Sequence, residues 1–244
     1  VSAPGCQTGG DNGITSTSRS GGYNVKCGTS MASPVTCGVS ALLLQDFRAQ
    51  FPGQPDFRNS TLKILLAHSA VDLVNAGPDY QTGYGSIRAQ AAVDLLRTGN
   101  FFEAEVSQGG VHSAVAFVQP GTTQLKITIA WDDPAGTPNV SPALVNDLDL
   151  VVRSPSGVQH YPWTLGGTAS PGTPAVRTQA NRVDNIEQVL VDNPEAGVWS
   201  VEVVGFNVPV GPQPFSLVAS PSIQNCSDVG SVSLDQQFYN CDSL

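Results

Sequence analysis

The stretch KCGTSMASPVTCG, residues 26–38, decides how the rest of this chain is read. It places Ser30 behind a Gly-Thr turn and ahead of a run of small and apolar residues that predicts a helix from Ser30 to Gln50. A serine at the start of a helix has two chemical assets. Its backbone N–H points out of the helix N-terminus, and the helix dipole there favours a developing negative charge. The same position also suits plain N-capping, for which Ser is a preferred residue. Both readings of Ser30 stand on local physics alone, and the serine needs a neighbouring base before it is a nucleophile.

Working outward, Ala32, Val35, Cys37, Val39, Ala41, Leu42, Leu43, Leu44 and Phe47 spread over nearly every helical face, which predicts a buried central helix. Pro34 is read as part of the first turn, where amides lack helical partners. The segment FPGQPDF breaks the chain, a second helix is expected from Asn59 or Ser60, and a third is expected to stop at Gly99. Beyond Gly99 the hydrophobic period changes to two. Eight short runs follow (FFEAEVS, HSAVAFV, QLKITIAW, LVNDLDLVV, VQHYPW, NIEQVLVD, GVWSVEVVG and PFSLVAS), several separated by turn clusters. That pattern predicts an antiparallel sandwich or jelly roll. The expected organisation is an α/β part over residues 1–98, an all-β domain over 99–220 and a polar tail over 221–244.

Composition narrows the function classes. With 40% hydrophobic and only 13% charged residues, the 244-residue chain has the makings of an ordered core rather than of a disordered segment. A net charge of −9 and the lack of a basic patch argue against nucleic acid as a partner. The longest aliphatic run, ALLL, is far too short to span a membrane. The opening VSAPGCQTGG has neither a start methionine nor the features of a signal peptide and reads as the interior of a longer precursor. Five cysteines, few lysines and sequons at Asn59, Asn139 and Asn225 are consistent with an extracellular protein, although sequons also arise by chance in a Ser/Thr-rich chain. Cys226 and Cys241 are expected to pair and clasp the tail; Cys6 and Cys27, which flank a surface loop, are a second candidate pair. Cys37 is the odd cysteine, read as a small buried hydrophobe, and no Cys/His spacing suggests zinc.

GTSMASP resembles the nucleophile motif of the subtilisin-like serine proteases, the subtilases. VSAPG resembles that family's strand ahead of the nucleophile, and GYGSIRAQAAV resembles the segment that closes its catalytic domain, so the likeness covers residues 1 to about 98. It implies a parallel-sheet α/β domain, Ser30 as the nucleophile, Thr29 and the Ser30 amide beside the oxyanion, and oxidant sensitivity at Met31. The substrate would be protein or peptide. The family's aspartate, histidine and side-chain oxyanion donor are not found here. The loop sequence DNG at Asp11 lacks the preceding hydrophobic strand, while His68, His112 and His160 read as structural. The base is therefore expected from an upstream part of the same protease. The alternative is an inactive fragment whose role is a non-catalytic, calcium-binding β module. An α/β-hydrolase is disfavoured because Ala32 stands where G-x-S-x-G needs glycine.

A second informative stretch is AWDDPAGTPNVSPALVNDLDLVV. Asp147 and Asp149 fall two apart on a strand and so share a face, with Asp132, Asp133 and Asn146 nearby and Asn185 and Glu187 able to add oxygens. Oxygen-only donors of this type suit Ca²⁺; an exposed acidic loop is the plainer reading. LVNDLDL and GFNVPVGPQPFSLV also resemble the C-terminal β-barrel domain of certain bacterial alkaline subtilases, and that likeness implies a structural calcium with Asp133, Asn146, Asp147, Asp149 and Glu187 as the candidate ligands.

Overall fold

A computed structural model describes residues 1–6 and 13–226 in full and, beyond them, the backbone of Val232–Leu234 and Gln237–Tyr239. Helix α1 (Thr29–Gln50) follows Gly28, whose φ of 142° is a backbone state that side chains disfavour. Only Val39, Leu43 and Phe47 of α1 are buried, one residue per turn on a single stripe. The expectation of a helix buried all round is therefore corrected. Leu42 is 53% exposed and Cys37 is exposed as well, because the described residues cover one side of α1 only. Pro34 is the sixth helical residue, past the first turn. Its missing N–H is the one that would have bonded the Ser30 carbonyl four residues earlier.

Helix α2 (Asn59–His68) is buried along most of its length, and α3 (Ala89–Thr98) shows one apolar side with Ala92, Leu95 and Leu96 buried. Gly99 ends α3 in the left-handed conformation, as the sequence predicts. The segment before Ser30 holds an antiparallel hairpin of β1 (Ile14–Thr17) and β2 (Tyr23–Lys26), where the sequence reading placed a loop. Its strands are four residues long, and neither has a fully buried residue, so no buried face announces them even though Tyr23 and Val25 alternate with Asn24 and Lys26. Of the expected parallel sheet, the described residues contain a single parallel bridge between Ser2 and Ser86. One extended segment makes no sheet without neighbours to ladder with.

The β region is a sandwich. One sheet has the order β3–β10–β5–β8, formed by β3 (Phe101–Val106), β10 (Gln213–Ser220), β5 (Gln124–Trp131) and β8 (Ile186–Asp192). The other runs β11 (Gln224–Asn225), β4 (Val111–Val118), β9 (Gly197–Asn207), β6 (Asp147–Arg153) and β7 (Gln159–His160). All strand pairs within the two sheets are antiparallel. Each of the eight apolar runs read from the sequence overlaps one of the strands β3 to β10, to within two residues at the strand ends that pass beyond a run. Trp131, Trp199, Phe215, Leu148 and Leu217 fill the space between the sheets.

Because strands alternate their side chains, the four-stranded sheet has a second face, and that face packs on the helices. Ala130 and Val218 belong to the core formed by Val39, Leu43, Ile64, Leu65 and Leu96. Hydroxyls line the same seam: Ser216 Oγ lies 2.7 Å from Ser60 Oγ and 2.8 Å from Thr61 Oγ1. In the tail, β12 (Val232–Leu234) pairs with β13 (Gln237–Tyr239). Cys226 is disulfide-bonded, and its expected partner Cys241 lies outside the described residues.

Candidate active site

Ser30 is the second residue of α1 and is exposed, as is Thr29, while Met31 is half-buried. The N-cap is Gly28, and no side chain caps the helix. Ser30 is thus not an N-cap, which removes the plainer of its two readings. Its N–H is one of the first four in the helix and has no intrahelical acceptor. A hydroxyl and an amide at one residue therefore face out of the positive end of a 22-residue helix. That sets one hydroxyl and one amide donor at the same residue, and among the described residues no histidine lies beside them.

Two backbone ties hold the turn that precedes this serine. Gly28 N–H donates to Gly5 O at 2.9 Å, and Met31 N–H donates to Gly28 O at 3.0 Å. Cys6 and Cys27 are joined in a disulfide with their Cα atoms 4.6 Å apart. The approach of the two backbone segments is close enough that a Cβ on Gly5 would stand 2.6 Å from Gly28 O.

All three histidines are held elsewhere. His68 is 4% exposed, with Nδ1 2.9 Å from Thr128 Oγ1 and Nε2 2.9 Å from Ser220 Oγ. Burial, aided by the neighbouring Lys126 charge, lowers its pKa to about 3. His112 Nε2 pairs with Asn225 Oδ1 at 2.9 Å, and His160 packs against Trp199. Asp11, the remaining candidate from sequence, lies outside the described residues.

The acidic residues of the β domain divide into two groups. Asp133 accepts the Val145 and Asn146 amides, each at 2.8 Å, and so closes the loop between β5 and β6. Asn146 is buried, donating to Val210 O at 2.6 Å and Gln213 Oε1 at 2.7 Å. Asp147 and Asp149 share a face as predicted, and both meet Arg182, which reaches Asp147 Oδ2 at 3.3 Å and Asp149 Oδ2 at 2.9 Å. Arg182 also stacks on Phe206, its guanidinium carbon 3.5 Å from the ring centre. The sequence reading missed Arg182; a lone basic residue 33 positions from Asp149 carries no local signal.

Glu187 is fully buried. Its Oε2 accepts the Leu150 amide at 2.7 Å, and its Oε1 has no hydrogen-bond partner. Burial holds its pKa well above the usual carboxylate range, with the charges of Asp149 and Asp147 acting in the same direction. Burial likewise lifts Asp147 to about 6, against the opposing pull of Arg182. Asn185 donates to Trp131 O at 2.9 Å, and Asp132 pairs with Lys63 at 2.9 Å. Among the described residues, no three His, Cys, Asp or Glu side chains are disposed as they stand to hold one metal ion.

A profile of the subtilase family matches residues 1–85. The chain is 37% identical over 152 residues to Fervidolysin of Fervidobacterium pennivorans, covering 61% of this chain and 18% of that protein. Two Dictyostelium discoideum proteins, each named a serine protease/ABC transporter B family protein, are also similar. The first, tagA, is 22% identical over 215 residues, 80% of this chain and 12% of its own length. The second, tagB, is 30% identical over 98 residues, 40% of this chain and 5% of its own length. The chain thus spans less than a fifth of each of these relatives, while the alignments with Fervidolysin and tagA extend into the β region.

Proposed function

Residues 1–85 belong to the subtilase family, and from that premise we propose that this chain is the nucleophile-bearing part of a serine endopeptidase. Ser30 Oγ attacks the scissile carbonyl carbon of a protein substrate, and the Ser30 N–H donates to the oxyanion that forms. The serine proton passes to an imidazole and then to the leaving amine; water afterwards hydrolyses the acyl-enzyme. That imidazole and its aspartate come from polypeptide outside this chain, since His68, His112 and His160 are all engaged elsewhere. The observation that carries the reading is the exposed, non-capping Ser30 at the first turn of α1, on residues that match the family.

The bare faces of α1 support a polypeptide partner. Leu42 at 53% exposure and the exposed Ala41 and Cys37 form apolar surface that upstream chain would cover. Disulfide bonding at Cys6, Cys27 and Cys226 supports an oxidising, extracellular location. No described helix is long and apolar enough to cross a membrane. A jelly roll is supported by strand order: β3, β5, β8 and β10 lie in one sheet, β4, β6, β7 and β9 in the other, and the chain crosses between sheets at every step except β6 to β7.

Calcium remains a proposal resting on charge. Asp147, Asp149 and Glu187 set three carboxyl groups against one guanidinium, and Glu187 Oε1 has no partner. Arg182 occupies the place a cation would take, so calcium at these oxygens requires Arg182 to swing aside. Asp133 and Asn146, already engaged by the chain, fit loop closure better than ligation.

Fluorophosphonate labelling of the native purified protein, read by intact mass and peptide mapping, tests the nucleophile. An adduct on Ser30, abolished in Ser30→Ala, is the expected result. No adduct, with only the 244-residue mass present, favours the second reading: a non-catalytic β module, for which the engagement of all three histidines speaks.

A further inference from the structure

We infer that the Cys6–Cys27 disulfide positions Ser30, and that reducing it with a dithiol lowers the reactivity of the serine. The inference rests on the reading of Ser30 as the nucleophile and adds a control on it. Cys27 stands three residues before Ser30; between them Gly28 has no side chain and Thr29 is exposed. At Gly28 even an added Cβ would meet nothing within 4 Å. Lys26 and Thr29 are exposed. The Cys27 side chain, through its bond to Cys6, is thus the covalent anchor of residues 26–29 among the described residues.

The other end of this anchor is firm. Ser2 N–H donates to Gly85 O at 2.8 Å, Ile87 N–H donates to Ser2 O at 2.9 Å, and Ser2 Oγ donates to Thr82 O at 3.0 Å. The segment from Ser2 to Cys6 is therefore pinned to the body of the protein, and it passes that position to residues 27 and 28 through one covalent bond and one hydrogen bond. On the far side of Cys27 lies the β1–β2 hairpin, with all four residues of β2 exposed. β2 thus offers no buried side chain to hold Cys27 in place. Once the disulfide is open, the turn stays registered on the pinned segment through the bond from Gly28 N–H to Gly5 O and the close approach of Gly5 to Gly28 and Ala32, with no covalent link between the two.

Cys6 and Cys27 are both exposed among the described residues, so a reductant can reach them. The exchange is balanced. A thiolate of the dithiol attacks one sulfur and releases the other as a cysteine thiolate; the second thiol then attacks the mixed disulfide and releases the first cysteine. Two electrons pass to the Cys6–Cys27 bond, and the dithiol leaves as its own disulfide. Cys6 and Cys27 are positioning residues, acting through Ser30 rather than on substrate.

The test uses the enzyme isolated with the polypeptide that supplies its histidine and aspartate. The rate of fluorophosphonate labelling at Ser30, and kcat and KM on a peptide substrate, are measured oxidised, after dithiothreitol, and after reoxidation. The Cys6→Ser/Cys27→Ser double variant separates this bond from the one at Cys226. We expect labelling and kcat to fall about tenfold or more, since misplacing a reacting group by roughly 1 Å can cost ~100-fold. KM should stay within about twofold, the melting temperature of the sandwich should hold, and activity should return on reoxidation. The double variant should start low and ignore dithiothreitol. Equal labelling rates in the oxidised and reduced enzyme overturn the inference. So does a loss that comes with a lower melting temperature and no recovery, because that marks a purely structural bond. No labelling in any state overturns the Ser30 reading beneath it.

Discussion

His68 sits where helix α2 meets the sandwich, its two ring nitrogens shared between Thr128 and Ser220 and its carbonyl taken by Lys126 Nζ at 3.0 Å. Burial penalises the charged ring, and the neighbouring Lys126 charge adds to that penalty, so the ring stays neutral down to about pH 3. In the unfolded chain the same ring takes a proton near its ordinary pKa of 6.5. Between those values the unfolded state binds the extra proton. The stability from neutral His68 is therefore complete above pH 6.5 and falls as pH drops towards 3, by at most about 1.4 kcal/mol per pH unit. His68→Gln should be less stable at pH 7.5, through the lost hydrogen bonds, and show a flatter decline between pH 6 and 4 in urea titrations. A slope equal to that of the parent protein refutes this account. The sequence identified His68 as packed rather than catalytic, from its place on a helix after the nucleophile. It gave no hint of the hydroxyl partners, which lie 60 and 152 residues away.

Helix α1 shows what one element reveals when the described residues cover only one of its faces. Its sequence is apolar on several faces, yet only the stripe through Val39, Leu43 and Phe47 is covered. Leu43 is fully buried and Leu42 is 53% exposed, so two adjacent leucines have opposite roles. Leu43→Ala should cost about 2–5 kcal/mol of stability, the usual range for emptying a core site. Leu42→Ser should change the stability of this chain by no more than about 0.5 kcal/mol. If upstream polypeptide covers that face, the Leu42 variant should instead lose association with it, read by co-purification or by sedimentation. A large stability loss in Leu42→Ser, with association unchanged, runs against a covered face. The helix was legible because its residues form an unbroken run between a Gly-Thr turn and FPGQPDF. The hairpin before it was not, because its four-residue strands have no fully buried residue and owe their form to pairing with each other.

At the scale of the whole molecule, the helices and the sandwich share material. Ala130 and Val218 lie in strands of the sandwich and in the core of the helices, and Ser216 bonds to both Ser60 and Thr61. Lys63 adds bonds from α2 to Trp131 O at 3.2 Å and to Asp132 at 2.9 Å. Units joined by a common apolar layer unfold together, so calorimetry should show one transition for the helices and sandwich. Two well-separated transitions argue for independent domains. The same experiment tests the calcium proposal: an excess of chelator should lower the melting temperature, because a ligand held only by the folded state stabilises it by mass action. An unchanged melting temperature overturns the calcium proposal and leaves Arg182 as the counter-charge of Asp147 and Asp149 among the described residues.

The sequence by itself determined the three helices, the eight main strands of the sandwich and the subtilase-like motif around Ser30. Each of these rests on short-range pattern: an apolar period of two or of about 3.6, a glycine stop, or seven consecutive residues matching a family motif. Tertiary structure alone decided which face of α1 is covered, that Gly28 rather than Ser30 caps it, and that Arg182 answers Asp147 and Asp149. It also decided that Cys6 joins Cys27 and that the sandwich completes the helical core. These depend on residues brought together from as much as 156 positions apart, as Ser60 and Ser216 are. Burial and pairing across such distances are set by how whole elements pack, and no local window of sequence contains them.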